Sequence, residues 1–414
     1  MSAVGRALAT LKTEGVRSTA WRSAKYLTNR FSPFVVAPLS SVYRDDVIAV
    51  DWTQPKNFNG TAKTGVDGKY RIAWIISPPS STSGGHQNAF RFMSFLEAAG
   101  HDLTVYLYSP GKYPAVNVHS IRAMMQGAAS GYPDLAGELK LYDPAVGFAE
   151  GYDVIVASDW EAAYAAHRYE GDAKRFYFAQ DFEPYFFAKG SDYVLAENSY
   201  RLGFHGIAAG RWLGEKLRTD YGMSCDVFDF AVDTSRYAYT NVTRRTEIVF
   251  YVRPPTPRRA TEFGLLALSE LSRLRPDITI NLVGWDMSGY DVPFPYVNHK
   301  AVGIARLNEI FNRSAAGLVL SLTNMSLLPM ELMASGVVPV VNDAPNTRGV
   351  FDSPYIDYAP MSPRAIAERL IAIVDRPDAV EHGAAVARSV GETDWSDPAS
   401  QFIGAFETAM RTAL

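Results

Sequence analysis

The segment Ser321–Asn342, SLTNMSLLPMELMASGVVPVVN, carries residue types in an order that suits a phosphorylated ligand. A strand ending at Leu322 runs into a polar turn containing Thr323, Asn324 and Ser326. The turn continues through Leu327 and Leu328 into a short helix, Pro329–Ser335. Backbone N–H groups at a helix start have no partner within the helix and favour an anion. Glu331 lies one turn further on, within reach of a ribose hydroxyl. Ala334–Ser335–Gly336 close the helix, and Val337–Val341 is an apolar strand. A helix with one exposed glutamate is the plainer alternative. It leaves the succession of strand, polar turn, short helix and strand unexplained.

A second group of candidates precedes this segment. Strand Glu247–Val252 ends in Arg253, and Arg258 and Arg259 follow across a proline-stiffened turn, RPPTPRR. Guanidinium groups make bidentate bonds to phosphate, and the carboxyl end of a parallel strand is where α/β folds bind ligands. The set reads as a diphosphate clamp, against a solvated loop as the alternative. Earlier, STSGGHQ at Ser81–Gln87 forms a glycine-rich turn between a strand and a helix. Gly84 and Gly85 serve either turn geometry or close approach of a ligand. His86 either caps and packs or hydrogen-bonds a sugar or phosphate. The G-x-G-x-x-G spacing is missing, which argues against an NAD-dependent dehydrogenase. Asp181 and Glu183 form an acid-x-acid pair of the kind that holds a divalent cation. They lie in the first half of the chain and the arginines in the second. The arginines would do the cation's electrostatic work, so no metal is expected. Both acids are assigned to the cleft, near sugar or acceptor, and with His86 are the catalytic candidates; capping of Tyr- and Phe-rich packing is the alternative for the acids.

These groups need a scaffold, and the chain supplies one twice. Strands at 70–77, 103–108, 153–157, 175–179 and 204–208 alternate with helical segments. The pattern restarts with strands at 247–252, 279–283, 317–322 and 337–341. Such alternation predicts parallel, doubly wound sheets. The fold class expected is α/β, with two Rossmann-like domains facing a deep interdomain cleft. Residues 1–68 read as a helical and wrapping extension, 69–230 as the first domain and 231–395 as the second. The amphipathic helix 396–414 is expected to cross back to the first domain. The chain of 414 residues is 47% hydrophobic and 20% charged, enough apolar material for two cores. Its one cysteine, Cys225, excludes an internal disulfide and a multi-cysteine zinc site, and reads as a core residue. A net charge of −4 argues against a nucleic-acid partner. No apolar run is long enough for a membrane span, and the start lacks a secretory pattern, so a cytoplasmic protein is expected. Residues 1–30 carry Arg6, Lys12, Arg17, Arg22, Lys25 and Arg30 against Glu14. They read as helices packed on the first domain or as a basic amphipathic surface touching anionic lipid at the inner membrane face.

Taken as a set, the motifs resemble glycosyltransferase family 4, which has the two-domain GT-B fold. Pro329, Glu331, Met333-Ala334-Ser335-Gly336 and Pro339-Val340 match its donor signature. Arg253 with Arg258 or Arg259 resembles its cationic pair on the diphosphate. Gly284-Trp285 matches its glycine after the next strand, Val232-Asp233 its hinge, and Gly84-Gly85 and Gly100-His101 its first-domain turn and helix end. One departure is Thr323, where the family has an acid that contacts the transferred sugar. The stretch FAQDFEPYFF at Phe178–Phe187 resembles bacterial rhamnosyltransferases of S-layer and O-antigen synthesis. The resemblance implies a retaining transfer of L-rhamnose from dTDP-β-L-rhamnose to a glycan or lipid-linked glycan acceptor, without a separate cofactor. It places Glu331 on the ribose 3′-hydroxyl and the base against Lys300–Ile304, read by the backbone of Val302. A sugar-nucleotide epimerase of the same fold, or a degenerate non-catalytic binding subunit, is the alternative.

Overall fold

The computed structural model describes residues 41–54, 56–58, 65, 67–81, 83–110, 116–127, 130–351, 353–391 and 393–412. The basic segment 1–30, and the lipid contact expected of it, lie outside these residues.

Two all-parallel sheets organise the chain. The first is seven-stranded, with β1 (Arg71–Ile76), β2 (Asp102–Leu107), β3 (Glu138–Leu141), β4 (Val154–Ala157), β5 (Lys174–Ala179), β6 (His205–Ala209) and β7 (Cys225–Phe228). Their order is β3-β2-β1-β4-β5-β6-β7. The second is six-stranded, with β8 (Glu247–Tyr251), β9 (Ile280–Val283), β10 (Val297–Lys300), β11 (Ser314–Val319), β12 (Val338–Asn342) and β13 (Asp357–Ala359), in the order β10-β9-β8-β11-β12-β13. The central strands β4, β5, β6, β9, β11 and β12 are buried along their whole length, as helices on both faces require. In each sheet the strand order reverses once, between β1 and β4 and between β8 and β11. Crossovers leave these strand ends in opposite directions, which opens a crevice at their carboxyl ends.

The helix Gly84–Ala98 starts four residues before the position read from its apolar spacing, with Ser83 as its N-cap. Gly84 and Gly85 are therefore first-turn helical residues and not a turn preceding a helix. The C-terminal helix Ser396–Arg411 buries Phe402, Phe406, Ala409 and Met410 in the first-domain core. Phe402 packs on Phe92 with ring centroids 5.0 Å apart. Lys174, itself buried, donates from Nζ to the carbonyl of Thr412 at 2.6 Å and to that of Ala409. This cation meets the carbonyl end of the helix, where the backbone dipole favours positive charge. Upstream, the short helix Arg44–Ile48 binds the same domain through buried Asp46, which accepts from Tyr108, Tyr142 and Arg168.

Candidate functional site

The second-domain side of the cleft begins where β8 ends. The Arg253 amide donates to Thr261 Oγ1 at 3.1 Å, fixing the strand end on the following helix. Its guanidinium lies 5.5 Å from the Tyr251 ring, with Nη2 3.5 Å from the Tyr251 hydroxyl. Arg258 sits 3.8 Å over the Phe186 ring of the first domain, and its Nε is 3.5 Å from Asp181 Oδ2. Burial lowers its pKa, while Asp181 and Glu183 oppose the shift. Arg259 behaves differently from the expectation. Its Nη1 donates to Ser321 Oγ at 2.7 Å and to the Asn324 carbonyl at 3.3 Å, and burial lowers its pKa to about 10. Arg259 thus ties the turn after β8 to the turn after β11.

The turn after β11 is held from several sides. Ser321 N donates to Asn342 Oδ1 at 2.8 Å, and Asn342 and Asn346 each donate to the Ser321 carbonyl at 3.0 Å. Thr323 and Asn324 are buried between the domains. Thr323 Oγ1 donates to Asp181 Oδ2 at 2.9 Å, and Asn324 N to Asp181 Oδ1 at 2.7 Å. Asn324 Nδ2 reaches the carbonyls of Gln180 and Ala209, both at 2.9 Å. Ser326, Leu327 and Leu328 are half-buried and lead into the helix Leu328–Ala334. Glu331, in its first turn, has a pKa raised to about 7 by burial, with a Tyr237 hydrogen bond and the charge of Arg91 opposing the rise. Arg91 comes from the first-domain helix Gly84–Ala98, where its guanidinium stacks 4.0 Å from the Trp395 ring.

On the first-domain side, the carboxylate pair splits. Asp181 reaches across the cleft, whereas Glu183 Oε2 accepts from Trp160 N at 2.8 Å and Tyr177 Oη at 2.6 Å. Those bonds cap the helix Trp160–Arg168 inside the first domain. Burial, then the charge of Asp159, raises the Glu183 pKa well above the carboxylate range. Glu183 is therefore a structural carboxyl here, contrary to its assignment as a catalytic partner of Asp181. His86 is corrected likewise. Its Nδ1 meets Ser83 Oγ at 2.6 Å and its Nε2 the Ser77 carbonyl at 3.0 Å, so both nitrogens serve the switch point between β1 and β4. Burial lowers its pKa. A side chain on Gly84 would meet no atom within 4 Å, so this helix start faces open space.

Gly284 has φ +97°, and a Cβ there would overlap the Tyr251 ring at 2.5 Å. Backbone geometry and close packing account for this glycine without a ligand. Val302 packs partly on the second-domain core, which leaves its backbone to serve any ligand contact. Cys225 is buried and its thiol pushed up to about 12, as a core residue. Among the described residues no group of three His, Cys, Asp or Glu side chains is placed to hold a metal. Sequence reasoning missed Gln180, Arg91, Tyr237, Asn342 and Asn346. Asn342 carries a usable signal, because an amide closing an otherwise apolar strand is well placed to bond the neighbouring turn.

Comparison with known proteins places this geometry. Residues 246–371 match the family described as WsaF, C-terminal domain. The O-antigen biosynthesis protein RfbC of Myxococcus xanthus is 30% identical over 284 residues, which are 66% of this chain and 22% of that protein. The chain thus spans 22% of that relative's length. Among solved structures, Anabaena Alr3699/HepE in complex with UDP and glucose aligns at TM-score 0.60 and 13% identity, over 82% of this chain and 99% of that one. S. aureus TarM, solved with fondaparinux, α-GlcNAc-glycerol and UDP, aligns at TM-score 0.63 and 8% identity, over 83% and 100%. The fold is GT-B. In GT-B terms, β8 to β13 form the second Rossmann-like domain, and the contacts of Asp181 and Asn324 lie in the interdomain cleft.

Proposed function

We propose that this chain is a glycosyltransferase of cell-surface polysaccharide synthesis, and that its donor is dTDP-β-L-rhamnose, transferred with retention to a glycan or lipid-linked glycan. The observation that carries the reading is the cleft itself. Arg258 and the Asn324 amide of one domain meet Asp181 of the other, next to Gln180, whose amide donates at 3.0 Å to the Gly85 carbonyl at the start of the Gly84–Ala98 helix. Fixed donors of positive charge in a dry cleft stabilise the negative charge that a diphosphate leaving group develops. The sugar–oxygen bond to the diphosphate breaks as the acceptor oxygen bonds to the same carbon from the same face. The acceptor's proton passes to the departing phosphate oxygen. Glu331 would accept from the ribose 3′-hydroxyl.

Two strands of support narrow the donor. One is the resemblance of Phe178–Phe187 to rhamnosyltransferases, while the RfbC match supports the broader reading of O-antigen synthesis. The other is Thr323, whose hydroxyl is taken up by Asp181 and so leaves one hydrogen-bonding group fewer for the sugar, as a deoxysugar requires. Thr323 also lies against the Asp181 carboxylate, so an acid is still present at this place, which favours an enzyme over a degenerate binding subunit. The chain is proposed to need no separate cofactor or metal. It would work in the cytoplasm, with residues 1–30 meeting anionic lipid at the inner membrane face.

A panel of nucleotide sugars tests the proposal, with thermal shift reporting binding and released dTDP or UDP reporting turnover, with and without EDTA. dTDP-rhamnose should give the largest shift and EDTA should change nothing. Preference for a UDP-hexose would overturn the donor. Interconversion of donors with no acceptor present would indicate an epimerase. Binding without release of dTDP or UDP to any acceptor would overturn catalysis.

A further inference from the structure

We propose that Trp285 is the platform on which the nucleobase of the donor stacks, an inference that rests on the nucleotide-sugar reading above. Trp285 follows β9 after one residue, Gly284, and is 41% exposed, as Trp52 is at 39%, whereas Trp74 and Trp160 are buried. Its indole makes no ring or cation contact among the described residues. A single exposed aromatic is ordinary on a protein surface; Trp285 is set apart by its place in the fold and by how its turn is held.

This one is held firmly. Gly284, immediately before it, donates its N–H to the Lys300 carbonyl at 2.8 Å. Asp286, immediately after it, accepts from Ser288 N at 3.0 Å and Asn298 Nδ2 at 2.8 Å, and pairs with Lys300 Nζ at 3.2 Å. Met287 is fully buried. The exposed ring therefore stands on a turn fixed at both ends, so a flat ligand would order little on binding.

Its position matches a nucleotide. Trp285 lies at the carboxyl end of β9, the neighbour of β8, whose end carries Arg253. Tyr251, the last residue of β8, touches both segments. Its ring lies 2.5 Å from the position where Gly284 would bear a Cβ, and the Arg253 guanidinium lies 5.5 Å from the same ring. A cation suited to phosphate and an open aromatic residue thus follow neighbouring strands on the ligand edge of a parallel sheet, as the two ends of a nucleoside diphosphate require. Gly303, after β10, has no atom within 4 Å of a would-be Cβ, so the backbone of the Lys300–Ile304 segment borders open space there. Base stacking on an aromatic ring is sequence-tolerant, because every base has a π face. Trp285 should thus set affinity for the nucleotide, with the choice of base left to the backbone at Lys300–Ile304.

The test is calorimetric titration of the full chain with dTDP and, separately, inorganic pyrophosphate. Trp285→Ala should weaken dTDP about tenfold or more. Trp285→Phe, which keeps a ring, should stay within about threefold, and pyrophosphate should bind all three proteins equally. Indole fluorescence quenched by dTDP in the wild type should be lost in Trp285→Phe. Equal dTDP affinity in wild type and Trp285→Ala overturns the platform and leaves the donor reading standing. Parallel loss of pyrophosphate binding also overturns it, since the arginine would then be what was disturbed. Failure of the wild type to bind either ligand overturns both.

Discussion

Thr323 Oγ1 and Asp181 Oδ2 lie 2.9 Å apart across the cleft, so a hydroxyl of the second domain hydrogen-bonds a carboxylate of the first. A carboxylate thus lies against position 323, where the donor signature has an acid of its own, and it comes from the opposite domain. Thr323→Asp would set two carboxylates against each other in a buried interface, and like charges there cannot both ionise without cost. Transfer should fall by about a hundredfold or more, equivalent to roughly 3 kcal/mol in the transition state. The exchange Asp181→Thr with Thr323→Asp should recover at least part of that loss. Kinetics on the single and double variants measure the coupling, and additive losses would count against the pairing.

Arg253 and Arg259 should separate binding from stability. Arg253→Ala should lower kcat/KM by about a hundredfold with little change in Tm, because Arg253 sits at the proposed diphosphate site. Arg259→Ala removes bonds to Ser321 and Asn324 and should cost about 1.5–3 kcal/mol of stability as well as activity. Thermal unfolding beside steady-state kinetics distinguishes the two.

Glu331 should confer a pH dependence on donor binding. Its carboxyl, normally at 4.5, is raised to about 7 by burial, so the folded protein holds this proton where the unfolded chain releases it. The associated stability is fully present below pH 4.5 and is lost as the pH rises through about 7. Acceptance of a ribose hydrogen bond is strongest from the ionised form. Affinity for an intact nucleotide sugar should therefore rise across about pH 6 to 8, one unit either side of 7, and be flat in Glu331→Gln. Arg91→Met should move the midpoint upward, since Arg91 favours the charged form. A nucleotide sugar is the proper probe because free dTDP has a terminal phosphate that titrates near pH 6.

Glu183→Gln should leave the fold and most of the activity intact. Its carboxyl accepts two hydrogen bonds through one oxygen, and burial favours the neutral form, which an amide mimics. Activity within about threefold of wild type is expected, against a loss of about a hundredfold for a general base. A collapse of kcat in the Gln variant with unchanged Tm would restore Glu183 to catalysis.

The C-terminal helix should be needed by the first domain. Phe402→Ala should cost about 3–5 kcal/mol, the usual range for emptying a buried aromatic site. Denaturant unfolding checks this, and a loss under about 1 kcal/mol would contradict the packing.

How much of this was legible beforehand follows from where each residue draws its neighbours. The nine strands read from the sequence are the interior ones, whose two covered faces demand apolar runs such as RIAWII and VPVVN. The four that went unread, β3, β7, β10 and β13, are the sheet edges. An edge strand is half solvated, so ELKL, CDVF, VNHK and DYA show no apolar run to read. The α/β class, the repeated sheet and the strand–turn–helix around Thr323–Glu331 were set by local periodicity and turn chemistry, which a linear sequence carries. The partners of Asp181, Glu183, Arg259 and Arg91 were set only by tertiary structure. Asp181 and Glu183 are two residues apart, yet one bonds Asn324 across the cleft and the other Trp160 within its own domain. Residue type and spacing made both acids equally plausible. Which of them met an unpaired amide from the other domain depended on how two separately folded sheets face each other, and contacts between distant segments leave no local periodicity in the chain.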